Sequence, residues 1–141
     1  MTSDLSAPLI VVGVDGSAGS QEALQWAMVQ AELSGAAVEA VMAWQLPEVY
    51  SMVSRDYEAD ARRELQAAIE KALGPDQRSR VTSRVVAGRP GPVLVGESQH
   101  AQLLVVGSHG LGDLVGKLLG SVSEHCVYHA GCPVVVVRHA S

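Results

Sequence analysis

Leu9-Ile10-Val11-Val12-Gly13-Val14-Asp15-Gly16-Ser17 is the stretch from which the fold can be read. A short unbroken apolar run, rich in branched side chains and closed by glycine and serine, is the pattern of a strand buried on both faces. Strands of that kind belong to parallel sheets covered by helices on either side. The next segment supplies a covering helix: Leu24, Ala27, Met28 and Ala31 recur at helical spacing between Ser17 and Ser34, and Gly35 is placed to end the helix in a left-handed conformation.

The same alternation continues outward from this unit. Residues 37–44 read as a second strand and residues 45–50, with Pro47, as a loop. Between about residues 54 and 73, Ala61, Leu65, Ala68, Ile69 and Ala72 line one helical face, and Gly74-Pro75 stops the helix. Residues 81–87 form a third strand. The Gly88-Arg89-Pro90-Gly91-Pro92 turn then leads into a short helix reaching about His100, since proline is tolerated in a first helical turn. Residues 103–106 are a fourth strand, residues 121–130 a last helix and residues 133–138 a fifth, very apolar strand. The order βαβαβαβαβ predicts a single α/β domain over residues 9–141, preceded by a flexible arm at residues 1–8, with a parallel sheet and right-handed crossovers.

Composition narrows the function. With 141 residues the chain suits one domain that buries about two thirds of its unfolded surface. Apolar residues are 48% of the chain but phenylalanine is absent, so the core must be built from valine, leucine, alanine and isoleucine. A formal charge of −5 argues against sequence-independent nucleic-acid binding, which needs a positive surface to displace counterions. Cys126 and Cys132 do not make the disulfide framework of a small secreted domain. The first apolar run follows no basic segment and is too short for a signal-peptide core or a membrane span. A cytoplasmic, membrane-independent protein is the expectation.

In open parallel sheets a ligand sits beyond the carboxyl ends of the strands, where the strand order reverses. Two strand ends here carry glycine-rich turns. One is Gly13-Val14-Asp15-Gly16-Ser17; the other is Gly107-Ser108-His109-Gly110, followed after nine residues by Gly120-Ser121. Glycines let a backbone approach a ligand closely, and a helix starting at Ser121 would point its first amides and positive dipole outward. Such a cradle suits phosphates, with the Ser121 hydroxyl and His109 adding contacts. The plainer reading makes Ser121 and Glu124 a capping box and the glycines turn residues. Both stand on the residues alone.

The Gly107-x2-Gly110-x9-Gly120-Ser121 pattern, the following Val122-Ser123-Glu124 and the terminal Cys132-Pro133-Val134-Val135-Val136-Val137 resemble the nucleotide-binding signature of the universal stress protein family. The opening residues 11–17 look like that family's first strand and turn, and Gly88-x-Pro90 like its third strand-to-helix junction. The resemblance covers residues 9–138. It implies the strand order 3-2-1-4-5 of the adenine nucleotide α hydrolase-like fold, ATP as ligand, and a homodimer joined through the last strand. It also implies roles by position. Asp15 would lie near the ribose or, with Mg2+ or Mn2+, near the phosphates; Gly13 would line the pocket beneath it; Ala43 would offer backbone hydrogen bonds to the adenine edge. Gly107, Ser108, Gly110, Gly120, Ser121 and Val122 would line ribose and phosphates, with His109 inside the motif. Asp15 has a purely structural alternative, which is to cap the first helix or fix its turn.

Other motifs carry less. Residues 112–117 suggest a Walker A loop, but the spacer is one residue short and Leu118 replaces the magnesium-binding serine or threonine. His125, Cys126, His129 and Cys132 suggest a metal cluster, yet adjacent His125 and Cys126 diverge by about a hundred degrees around a helix. Cys126 then reads as a small buried residue, and His129 as a cation near a helix carboxyl end. The acidic cluster and aspartate of a phosphoacceptor receiver domain are missing. No nucleophile and general base converge on the phosphate turn, so a nucleotide-dependent regulatory module leads, with an unknown regulatory protein as partner. Slow ATP hydrolysis, sensing of AMP or cyclic AMP, and a nucleotide-free interaction module are the alternatives. The run Val134 to Val137 at a sheet edge predicts antiparallel pairing with a second copy.

Overall fold

The computed structural model describes residues 8–47, 56–111 and 119–138. Residues 1–7 of the expected arm and the Walker-like stretch 112–118 lie outside these ranges. Five parallel strands form one sheet in the order β3-β2-β1-β4-β5, the predicted 3-2-1-4-5. They are β1 (Leu9–Gly13), β2 (Ala37–Trp44), β3 (Val81–Ala87), β4 (Leu103–Gly107) and β5 (Val134–Val137). The helices are α1 (Ala18–Ser34), α2 (Tyr57–Ala72), α3 (Pro75–Arg78), α4 (Pro90–Ser98) and α5 (Ser121–His129).

The period of two along each strand divides the core into two layers. Ile10 and Val12 of β1 and Val14 just beyond it, with Val105 of β4, pack with Ala23, Leu24 and Met28 of α1 and Leu65 and Ile69 of α2. On the other face Val11, Val41, Leu104 and Val106 meet Val93 and Leu94 of α4 and Cys126 of α5. Central strands covered on both sides in this way must be apolar at every position, which is why β1 and β4 read as continuous runs. Trp26 and Trp44 pack against the first layer as partly buried core residues.

Local signals set most helix ends. The Ser17 hydroxyl caps α1 by accepting from the Ser20 amide at 3.2 Å, and Gly35 ends it at φ 77° with its amide bonded to the Ala31 carbonyl. The Asp56 carboxylate caps α2 through the Ala59 amide, with Glu58 and Asp60 in the first turn and Lys71 in the last. Helix α2 stops before Gly74-Pro75, as expected. The same proline then opens the short α3, because its missing amide and fixed φ suit a first helical position; the sequence reading left this helix out. Helix α4 ends at Ser98 rather than near His100, α5 at His129 rather than Ala130, and β4 runs one residue longer, through Gly107.

Candidate functional site

A cavity of about 290 Å³ opens at the carboxyl ends of β1, β2 and β4. Its position follows from topology: β2 and β4 flank β1, and the helices after β1 and β4 leave on opposite faces, so the sheet's crevice lies between these strand ends. Gly13 at the end of β1 and Val14 and Asp15 in the turn after it line the cavity, with Val41, Met42 and Ala43 from β2 and Val106 and Gly107 from β4. Gly110, Leu111, Ser121, Val122 and Ser123 complete one wall; Pro90 and Leu94 of α4 and Glu64 of α2 contribute from the other elements.

Asp15 ties two distant turns together. Its Oδ1 accepts from the Ser17 amide at 2.9 Å and from the Ser17 hydroxyl at 2.5 Å, while its Oδ2 accepts from the Leu111 amide at 3.0 Å. Partial desolvation acts to raise its pKa, but the hydrogen bonds from Ser17, Leu111 and Ser20 outweigh it and hold the carboxyl below the usual 3.8. The helix cap is Ser17, so Asp15 fixes the turn rather than capping α1 itself.

Register explains why Ala43 is presented to the cavity. Gly13 pairs with Val41, and the Val41 carbonyl accepts from the Val14 amide at 2.9 Å, so residue 41 turns its backbone polar groups toward β1. Ala43, two residues on, turns its amide and carbonyl to the same side, past the end of β1. Trp44 faces the other way, its carbonyl accepting from the Gly88 amide at 2.8 Å.

Two glycines, Gly107 at the end of β4 and Gly19 in the first turn of α1, are required by the protein's own packing. A Cβ on Gly107 would lie 2.7 Å from the backbone carbon of Gly19, and one on Gly19 would lie 2.7 Å from the His109 carbonyl oxygen. The start of α1 therefore sits directly on the end of β4, and this contact, which sequence spacing does not reveal, brings Asp15 beside Leu111. Gly13 gives similar room to Leu94, whose Cδ1 would lie 2.6 Å from an added Cβ.

The α5 end differs from the capping-box reading. Its N-cap is Gly120, with no side-chain cap; Ser121 is the first helical residue. The buried Ser123 hydroxyl instead donates to the carbonyls of Ser108 at 2.9 Å and Gly120 at 3.0 Å. The Gly120 amide also donates to the Ser108 carbonyl, at 2.6 Å. Ser108 is thus a buried strut between β4 and α5. Of the ten sequence-predicted residues, Gly13, Asp15, Ala43, Gly107, Gly110, Ser121 and Val122 line the cavity, whereas Ser108, His109 and Gly120 do not. The His109 ring nitrogen Nδ1 lies 3.3 Å from the Ser108 hydroxyl.

Kinship is carried by nearly the whole chain. Residues 9–138 match the family model for the universal stress protein family. The chain belongs to that family. Universal stress protein Rv2005c of Mycobacterium tuberculosis is 39% identical over 134 residues, covering 93% of this chain and 45% of the relative. The chain thus spans about half the length of the curated relatives it matches. Among solved structures, a universal stress protein in complex with cAMP is 30% identical, with a TM-score of 0.66 over 96% of this chain and 99% of that one. The universal stress protein of Archaeoglobus fulgidus in complex with dAMP shares the fold at 20% identity, with a TM-score of 0.66 over 93% of this chain and 97% of that one.

The universal stress protein fold here also carries features that linear reading did not single out. Ser20 and Glu64 line the cavity although neither belongs to a motif. Helical position alone places Glu64 at the flank of the apolar face of α2, and nothing in the sequence says that this flank borders the cavity. Among the described residues no group of three or more histidine, cysteine or acidic side chains is arranged to hold a metal. Cys126 is fully buried, and desolvation pushes its thiol up to about 11. The His125 and His129 rings lie 4.6 Å apart on α5, with His125 against Gly91 of α4. No helix among the described residues is long and apolar enough to cross a membrane.

Proposed function

We propose that this chain binds an adenine nucleotide, ATP in the first instance, in the cavity at the ends of β1, β2 and β4, and acts as a nucleotide-dependent regulatory module in stress response. One observation carries the reading: the cavity has main-chain polar groups at both ends, those of Ala43 on β2 and those of the first turn of α5. A donor and an acceptor side by side at Ala43 suit the edge of a base. The Val122 and Ser123 amides, in a first helical turn, have no acceptor within the helix and lie at the positive end of its dipole, which suits phosphate. The relative that is 30% identical was solved with cAMP, which supports an adenine ligand.

A cation, Mg2+ or Mn2+, would enter with the nucleotide. Asp15 is the carboxylate at the β1 turn, but both its oxygens are already engaged, so the described residues alone do not make a metal site and phosphate oxygens would supply ligands. Among the described residues no nucleophile and base converge there, and the reading is of a binding protein rather than an efficient enzyme.

Sensing of AMP or cyclic AMP is the second reading. The described lining includes two carboxylates, Asp15 and Glu64, and no lysine or arginine, a balance that disfavours a triphosphate without a cation. Mass analysis of nucleotide released from the purified protein, followed by titration calorimetry with ATP, AMP and cyclic AMP with and without Mg2+, tests both. ATP bound tighter than AMP in Mg2+ supports the first reading; AMP or cyclic AMP bound tighter supports the second; binding of none of them overturns the site. A homodimer through β5 and an unidentified regulatory protein complete the proposal, and the two free thiols fit the cytoplasm.

A further inference from the structure

Helix α2 holds several of its charged and polar side chains in local pairs. Arg62 bonds Glu58 at 2.6 Å, Arg63 bonds Asp60, and Gln66 reaches Glu70 at 3.4 Å. Glu64 differs: it makes no hydrogen bond or ion pair with any described residue, and it lines the cavity together with Val41, Met42 and Ala43. Asp15, the other carboxylate of the described lining, already accepts three hydrogen bonds. Glu64 is therefore the open anionic acceptor of the described lining, and it sits on the helix that packs against β2, the strand that carries Ala43.

We propose that Glu64 reads the exocyclic 6-amino group of the bound base and makes the site selective for 6-amino over 6-oxo purines. The proposal rests on the adenine reading of the cavity. A 6-amino group has two protons. In the proposed pose the Ala43 carbonyl takes one while the Ala43 amide donates to ring N1, which leaves the second proton for the Glu64 carboxylate. A 6-oxo purine turns an acceptor oxygen toward both the carbonyl and the carboxylate, and a protonated N1 toward the amide. Each polar group would then face its own kind, an arrangement by which a binding site rejects an analogue. Ala43 alone disfavours the 6-oxo base, so the contribution of Glu64 appears in the change of selectivity when its side chain is altered.

The test is the ratio of affinities for AMP and IMP, which carry the same ribose and phosphate, measured by titration calorimetry on the full chain. The wild type should prefer AMP by at least on the order of a hundredfold. Glu64→Gln presents an amide that can donate to a 6-oxo group, and the ratio should fall at least about tenfold; Glu64→Ala should lower it by removing the acceptor. Position 64 is exposed on its helix, and unchanged far-ultraviolet circular dichroism and melting temperature would show that both variants fold. A ratio within about twofold of wild type in Glu64→Gln, with AMP still bound, overturns the role of Glu64 and leaves the adenine site standing. Failure of the wild type to bind either nucleotide overturns the site itself.

Discussion

Asp15 shows how one side chain can hold a turn and border a ligand cavity at once. Three donors converge on its carboxylate from Ser17 and Leu111, residues that are neighbours only in the folded chain. Because these bonds outweigh desolvation and lower its pKa from 3.8, the folded state binds the proton less readily than the unfolded chain does. The resulting stabilisation is fully present above pH 3.8 and is lost as pH falls through the lower folded value. Asp15→Asn should therefore reduce the urea midpoint at pH 6, and the gap from wild type should narrow as the pH is taken below 3.8. A gap that does not change with pH would contradict this account. Ser108 and Ser123 make the same point in neutral form: their hydrogen bonds join β4 to α5, and they support the cavity wall through the backbone.

The junction between α1 and β4 is the element-scale feature that shapes the site. Helix α1 starts so close to the end of β4 that neither Gly19 nor Gly107 has room for a methyl group. A Cβ at Gly107 would meet backbone atoms, which cannot rotate away, so Gly107→Ala should cost about 1–3 kcal/mol. Gly96 in α4 is the contrasting case, with nothing within 4 Å of an added Cβ. Gly96→Ala should stabilise by about 0.5–1 kcal/mol, because glycine loses more conformational freedom in a helix. Urea unfolding of the two variants checks both signs, and equal effects would refute the packing role of Gly107. In the family signature this glycine reads as an opening for ligand; in the fold it is also the point on which a helix rests.

At the scale of the whole molecule, strand β5 is an apolar edge of the sheet. It pairs with β4 on one side and forms the edge of the sheet, and all four of its valines are only half-buried in the single chain. An unbroken apolar edge recruits another strand, and a twofold axis through β5 would extend the sheet into that of a second copy. Val135→Lys should shift sedimentation at low micromolar concentration from dimer toward the 14.8 kDa monomer. A wild type that already sediments as a monomer, or a variant that remains dimeric, would rule out this edge as the contact.

The strand and helix order was legible in the linear pattern because each element carries its own period and its own stop: branched apolar runs for β1 and β4, Gly35 after α1, Gly74-Pro75 after α2. The short α3 escaped because Pro75 ends one helix and begins another, and local pattern gives only the first meaning. Most of the motif's cavity-lining residues were legible too, since glycine turns at strand ends can be placed once the alternation is known. What the sequence by itself determined was therefore the class of fold, the strands that flank the crevice and the family. Only the tertiary structure decided which side chains enter the cavity. It buried Ser108 as a strut, kept Gly120 out of the cavity lining, tied Asp15 to Leu111 and brought Glu64 from α2 into that lining. Those outcomes depend on how closely one element rests on another, and that distance is set by contacts between residues far apart in the chain, which no local spacing records.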